Sequence, residues 1–324
     1  MIVRSTFKPA WWLPGPHLQT LWPNVIRPRP RVTLVRERIE LPDGDFLDLD
    51  WAPEADGPVV LVLHGLEGSA KSGYAAGILK QLATQRFQAV LMHARGCSGE
   101  PNRLARAYHA GQTEDMAYIA GLLAQRYPQR RLAAVGYSLG GNALLKWLGE
   151  TGTRNPLDCA VAVSVPFVLA HAHERLQRGF SRLYQWHLMG KMKQAVHRKR
   201  HYPNFPIDTV AVDGLRTFRA FDDTVTAPLN GFDGVDDYYG RSSSRQYLVN
   251  IRRPTLILHA EDDPFMLPET MPGADELSSS VTLETSRQGG HVGFVSGNIP
   301  GRGQYWLETR IPQWLTAQLE PAVP

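Results

Sequence analysis

Gly136-Tyr137-Ser138-Leu139-Gly140-Gly141 is the stretch of this sequence whose residue types and spacing most directly suggest chemistry. A serine hydroxyl framed by glycines matches G-x-S-x-G, a pattern that carries little weight alone in a chain with 29 glycines. Its surroundings add weight. An apolar run, Leu132 to Val135, comes just before it, and a helical run, Ala143 to Leu148, comes just after. In that strand–turn–helix setting a serine sits on a strained elbow with its hydroxyl above the end of a sheet. Gly136 and Gly140 would let strand and helix approach closely, with Gly141 adding slack. The bland alternative is a glycine-rich turn with a capping serine.

A serine hydroxyl needs a base to attack an acyl carbon at neutral pH. Of 11 histidines, His291 stands out, because Gly289-Gly290-His291-Val292-Gly293 reads as an exposed loop beyond the last apolar run, Val281-Thr282-Leu283. A carboxylate must then hold the imidazole in the right tautomer. Glu261-Asp262-Asp263-Pro264 follows the apolar run Leu256 to Ala260 and offers two candidates. Asp263, just before the proline, is favoured; Asp262 is the second choice, and whichever is not used should be a solvated turn residue. The oxyanion of an acyl-transfer intermediate needs backbone donors, each worth roughly 3–4 kcal/mol. The N–H of Leu139 is one candidate. The N–H of Leu66, within His64-Gly65-Leu66-Glu67-Gly68-Ser69, is the other, with His64 shaping that loop.

These residues need a scaffold. Val59–Leu63, Ala89–Met92, Leu132–Val135, Ala160–Val163 and Thr255–Leu258 are short apolar runs without polar alternation, as strands buried on both faces are. Helical spacings lie between them: Tyr74, Ile78 and Leu82, then Met116, Ile119 and Leu123. Strand and helix thus alternate as a parallel sheet requires. Ahead of this series, 32–39 and 46–51 flank Pro42-Asp43-Gly44, and Leu47, Leu49 and Trp51 alternate with Asp48 and Asp50. That pattern predicts an antiparallel hairpin with one face in solvent. The spacing predicts an α/β-hydrolase fold in which Ser, Asp and His follow in that order. Residues 1–165 and 251–324 form its core, and 166–250 form a mostly helical lid inserted between two strands. In that insertion Leu176, Phe180 and Leu183 share a helical face, and the closing helix carries Trp306, Ile311, Trp314, Leu315 and Leu319.

Composition narrows the function. With 43% hydrophobic and 20% charged residues, the 324-residue chain reads as an ordinary globular protein. Two cysteines, Cys97 and Cys159, make no disulfide framework and lack metal-ligand spacing, and they suit a reducing compartment. The start of the chain, broken by Pro9, Pro14 and Pro16, does not read as a signal peptide, and no apolar run is long enough to span a bilayer. A cytoplasmic protein is expected. The formal charge of +4 is modest and is concentrated at Lys191, Lys193, Arg198, Lys199 and Arg200. Such a run reads as a solvated helix face, with contact to an anionic lipid surface as the sharper alternative and no nucleic-acid module around it. No cofactor or metal is expected. No Gly-Lys-Ser/Thr follows the glycines, His171 and His173 lack a third ligand, and His197 and His201 sit among cations.

Several stretches together resemble the YheT-like branch of the α/β-hydrolase superfamily. They are Pro14-Gly15-Pro16-His17-Leu18-Gln19-Thr20, the 64–69 loop, Arg95-Gly96-Cys97-Ser98-Gly99-Glu100-Pro101-Asn102, Tyr108-His109-Ala110-Gly111, Gly136 to Asn142, Phe221-Asp222-Asp223, Tyr238-Tyr239 and Asp262-Asp263-Pro264-Phe265. The resemblance implies a soluble carboxylesterase or lipase-like enzyme acting on acyl esters through a Ser–Asp–His triad. Aromatic residues of the insertion, Phe167, Phe180, Tyr184 and Trp186, are expected to line an acyl pocket for short- to medium-chain esters. A thioesterase or amidase with the same triad, and a non-catalytic binding module on the same fold, are the alternatives.

Overall fold

A computed structural model describes residues 1–319. Nine strands form one sheet: β1 (Ile2–Arg4), β2 (Val35–Glu40), β3 (Phe46–Trp51), β4 (Val59–Leu63), β5 (Gln88–Met92), β6 (Leu132–Tyr137), β7 (Cys159–Val163), β8 (Thr255–Ala260) and β9 (Val281–Ser286). Their spatial order is β1-β9-β8-β7-β6-β4-β5-β3-β2. From β1 to β5 all neighbours are parallel, and β3 and β2 close the other edge antiparallel. The chain leaves β4 toward β5 and then returns to β6 on the opposite side. That reversal is a topological switch point, where open α/β sheets form a crevice at the carboxyl ends of their strands.

The uninterrupted apolar runs form the central strands because both faces are covered. Val59, Leu61 and Leu63 of β4 point into a core shared with α3 (Glu114–Arg126) and α4 (Leu139–Thr151). Val60 and Val62 point to the opposite face, onto α2 (Gly73–Thr84) and the closing helix, Leu307–Leu319. An earlier helix, α1 (Pro16–Leu21), starts with a proline at its first position, as helix geometry favours. β1 escapes the sequence patterning. It has three residues, takes the outer edge beside β9, and is not fully buried anywhere.

The hairpin forms, with β2 beginning at Val35 and Val35 paired to Trp51, but the aspartates do not face solvent. Asp48 and Asp50 are buried, each held by two hydrogen bonds from an arginine on β2: Arg38 on Asp48 at 2.8 and 3.0 Å, and Arg36 on Asp50 at 2.7 and 2.9 Å. Burial alone would raise the Asp50 pKa, but His93 and Arg36 hold it well below the carboxylate range. Alternation of apolar and charged residues here marks ion pairs roofed by arginine stems rather than a wet face.

Between β7 and β8 the described chain is helical: α5 (Leu169–Leu176), α6 (Ser181–Arg198), α7 (Thr209–Gly214), α8 (Phe218–Phe221), α9 (Ala227–Leu229) and α10 (Val235–Ser242). This segment has its own apolar cluster, built on Leu176, Met189, Met192, Val196, Phe218, Phe221 and Val225. Leu176, Phe180 and Leu183 do not share a face, because the chain breaks between α5 and α6; Leu176 is buried while Phe180 and Leu183 are exposed. Nor is the basic run wholly solvated. Lys199 is buried, and its Nζ donates to the carbonyls of Leu104 and Arg106 at 3.0 and 2.9 Å, tying the end of α6 to the loop after β5.

Candidate active site

Ser138 occupies the turn from β6 into α4 with φ 50° and ψ −115°, a left-handed conformation costly for a residue with a side chain. Glycines make the turn possible. A Cβ at Gly136 would lie 2.7 Å from the Gly140 carbonyl oxygen, and one at Gly140 would lie 2.5 Å from that of His64. Gly141 is no slack position: a Cβ there would press to 3.0 Å on both the Gly136 carbonyl and Val165.

His291 lies in the loop after β9 with its Nε2 3.0 Å from Ser138 Oγ and its Nδ1 2.8 Å from Asp263 Oδ2. The other Asp263 oxygen accepts the Phe265 N–H at 2.8 Å, which fixes the carboxylate plane. The Phe265 ring lies flat on the imidazole, 4.0 Å between centroids and 4° from parallel, shielding one face of it. Asp262 is not a solvated turn residue. Its Oδ1 accepts the Gly290 N–H at 2.9 Å, so it secures the histidine loop while Asp263 meets the ring.

The proline-rich start of the chain holds that loop from the other side. Thr20 Oγ1 accepts the His291 N–H at 2.9 Å, and the Gln19 amide exchanges hydrogen bonds with the Val295 backbone at 2.8 and 3.1 Å. A Cβ on Gly290 would meet Pro16 O at 2.5 Å, and one on Gly293 would meet Gln19 O at 2.3 Å. Ser164 Oγ accepts the Val292 N–H at 3.0 Å. Thr20, Gln19, Ser164 and Phe265 escape a reading by spacing because no local pattern links them to a histidine far away in sequence.

The 64–68 loop follows β4 and runs beside the serine, with Gly65 so close that a Cβ there would sit 3.2 Å from Ser138 Cβ. His64 is buried and shapes the loop. Its Nε2 accepts the Ala94 N–H at 3.0 Å, so the proton is on Nδ1, which donates to Gly65 O at 2.7 Å. Burial pushes the imidazole down to about 4, against a smaller upward pull from the Gly65 contact. A depressed histidine stabilises the fold above its unfolded pKa near 6.5 and loses that contribution as pH falls toward 4. In urea titrations, His64→Asn should therefore lessen the stability loss between pH 6.5 and 4 by about 1.4 kcal/mol per pH unit. Parallel wild-type and variant curves would refute the assignment.

Two of the four aromatic residues expected around an acyl pocket pack beside His17 and Phe265. Tyr184 packs on Phe265 at 4.9 Å between centroids and meets His17 Nδ1 at 3.1 Å, and Phe180 packs on His17 at 4.5 Å. The other two are elsewhere. Phe167, four residues beyond the end of β7, is fully buried in the sheet core against His259. Trp186 is 76% exposed on the outer side of α6. A cavity of about 70 Å³, open at its mouth, lies instead between α6 and the loop after β5. Leu66, Cys97, Met192, Val196, Phe205, Phe221 and Val225 contribute its apolar walls.

The α/β hydrolase fold family matches residues 58–298, so the chain belongs to that family. It is an esterase- and lipase-like member, and within the family it stands beside YheT of Escherichia coli, to which it is 43% identical over 94% of this chain and 91% of that one. Phospholipase ABHD3 of Mus musculus is 29% identical, over 98% of this chain and 80% of its own. The monoacylglycerol lipase of Saccharomyces cerevisiae is 31% identical, over 85% and 61%. Among solved structures, the Pyrococcus furiosus esterase Pf2001 shares the fold, with a TM-score of 0.59 at 16% identity over 89% of this chain and 94% of that one. Among the described residues no helix is long and apolar enough to cross a membrane.

Proposed function

We propose that the protein hydrolyses carboxylic esters through an acyl-enzyme on Ser138. One observation carries the reading: a continuous relay from Asp263 through His291 to Ser138, at 2.8 and 3.0 Å, on a strained elbow. His291 Nε2 takes the serine proton as Oγ attacks the ester carbonyl, and the carbonyl oxygen becomes an oxyanion facing the Leu139 and Leu66 amides. Collapse breaks the bond to the alcohol oxygen, which leaves with the proton from His291. Water, deprotonated by the same nitrogen, then releases the carboxylic acid and restores the serine.

The 166–250 segment serves as a lid, and the cavity beneath α6 receives the acyl chain. Its walls are mostly apolar, as an acyl chain requires, and its small volume favours short to medium chains. The phospholipase and monoacylglycerol lipase relatives support an acyl ester as substrate. Leu183 and Trp186, exposed on α6 near Arg182 and Lys191, support passing contact with an anionic lipid surface rather than insertion. The two cysteines, both free, suit the cytoplasm.

The test needs no knowledge of the natural ester. A fluorophosphonate should label the purified protein once, at Ser138, with labelling absent in Ser138→Ala and His291→Ala. A folded wild-type sample that stays unlabelled and hydrolyses no p-nitrophenyl ester would remove the serine-hydrolase reading.

A further inference from the structure

The stretch Tyr108-His109-Ala110-Gly111 contributes to the family resemblance yet has no part in the relay. Its tyrosine reaches the oxyanion loop. Tyr108 Oη accepts the Glu67 N–H at 2.8 Å and lies 2.9 Å from Glu67 Oε1, to which it donates its proton. On the other side of Leu66, Tyr74 Oη accepts the Gly65 N–H at 2.9 Å. The Gly68 N–H turns back to Gly65 O at 3.0 Å. The amides of residues 65, 67 and 68 are thus all committed, and only that of Leu66 lacks a partner among the described residues.

This arrangement has a conformational cost. Glu67 sits at φ 53°, a region that residues with a Cβ rarely adopt. The Tyr108 hydroxyl binds both the backbone and the carboxylate of that same residue, so it holds the chain in the turn. Gly68 must be glycine here, because a Cβ would come within 2.7 Å of the Tyr74 hydroxyl. Both tyrosines are partly buried, and desolvation of their hydroxyls pushes the pKa values up, so both stay protonated.

We propose that Tyr108, together with Tyr74, is a positioning residue that aims the Leu66 N–H at the oxyanion by binding the amides on either side of it. The proposal rests on the reading of Ser138 as the nucleophile. Tyr108 touches no reacting atom in it. Tyr108→Phe keeps the ring in place and deletes both hydrogen bonds, freeing Glu67 to relax toward ordinary φ and turning the Leu66 amide away.

Loss of one whole oxyanion donor costs about 100- to 1,000-fold in kcat, and a misaimed donor should cost less. For Tyr108→Phe the expected fall in kcat on a p-nitrophenyl ester is about tenfold, with KM nearly unchanged. A selective readout separates positioning from general damage. A trifluoromethyl ketone with the same acyl chain adds to Ser138 and presents an oxyanion, so its affinity should fall by the same factor as kcat/KM. The primary alcohol of equal chain length, which presents none, should bind Tyr108→Phe as it binds wild type. Glu67→Ala, which removes only the acceptor of the tyrosine proton, should show the same selective loss at smaller size. Thermal melts and titration of the active fraction by fluorophosphonate keep a misfolded sample from counting as a result.

Unchanged kinetics in Tyr108→Phe, or ketone and alcohol affinities falling together, would overturn the proposal while the hydrolase reading stood. A wild-type protein that neither labels at Ser138 nor hydrolyses esters would remove both at once.

Discussion

Replacing Asp263 with asparagine is expected to lower kcat about 10,000-fold, the size seen when the triad acid is made neutral in a serine protease. The hydrogen bonds around the Asp263 carboxylate explain why so small a change would cost so much. Phe265 N–H donates to Asp263 Oδ1, so an asparagine there must place its carbonyl oxygen at that position. Its NH2 then occupies the place of Oδ2, 2.8 Å from His291 Nδ1. Facing a donor, Nδ1 must give up its proton, and the neutral ring carries it on Nε2 instead, pointing at Ser138. A base already protonated on that side cannot accept the serine proton.

Asp262→Asn should behave differently, although the two carboxylates are adjacent. Only one Asp262 oxygen is engaged, by the Gly290 N–H, and an amide oxygen can take its place. The other oxygen has no partner among the described residues, and burial raises the carboxyl pKa. A loss of less than about tenfold is expected, since the imidazole tautomer is untouched. The measurement is kcat for both variants on one ester under saturating substrate. The larger loss at Asp262 would mean that the relay runs through that carboxylate, and equal losses would mean that the ring tautomer does not depend on Asp263 alone.

What could be read in the sequence depended on whether a residue's partner was local. β4, β6, β7 and β8 were legible because a strand covered on both faces has no reason to carry a polar residue. Ser138 was legible because its strain demands glycines at fixed short offsets. His291 could be found from its own flanking glycines, which are needed where α1 crosses the loop, although nothing local shows that Pro16 and Gln19 are what crosses it. Asp48 and Asp50 misled because their arginine partners are on the other strand of the hairpin. Trp186 and Phe167 misled for a related reason. An aromatic residue in a helical insertion can face the pocket, the core or solvent, and only packing decides among them. Tyr108 and Tyr74 were invisible as a pair, since their relation to Leu66 exists only once β4 and the loop after β5 are side by side.

Gly140 and Gly121 give a paired test of how tightly the elbow is built. Both are in helices, where alanine is ordinarily better than glycine by about 0.5–1 kcal/mol because glycine loses more freedom on folding. At Gly121 a Cβ would meet nothing within 4 Å, so Gly121→Ala should raise the unfolding midpoint by the ordinary amount. At Gly140 the same methyl would be 2.5 Å from His64 O and 2.8 Å from Leu63 O. Those atoms belong to the backbone at the end of β4 and cannot rotate away, so α4 must shift outward by something like 1 Å. Ser138 sits at the head of that helix and Leu66 follows the strand it leans on, so the shift separates the proposed nucleophile from the proposed oxyanion donor. A displacement of that size costs about 100-fold in rate, and overpacking against a rigid neighbour costs about 1–3 kcal/mol. Gly140→Ala should therefore lose both stability and at least that much kcat/KM, measured by urea unfolding and ester hydrolysis beside Gly121→Ala. If Gly140→Ala were as stable and as active as wild type, the loop at residues 63–64 would have to be yielding. The Leu66 amide would then not be held in advance, and its placement would have to come from the bound substrate.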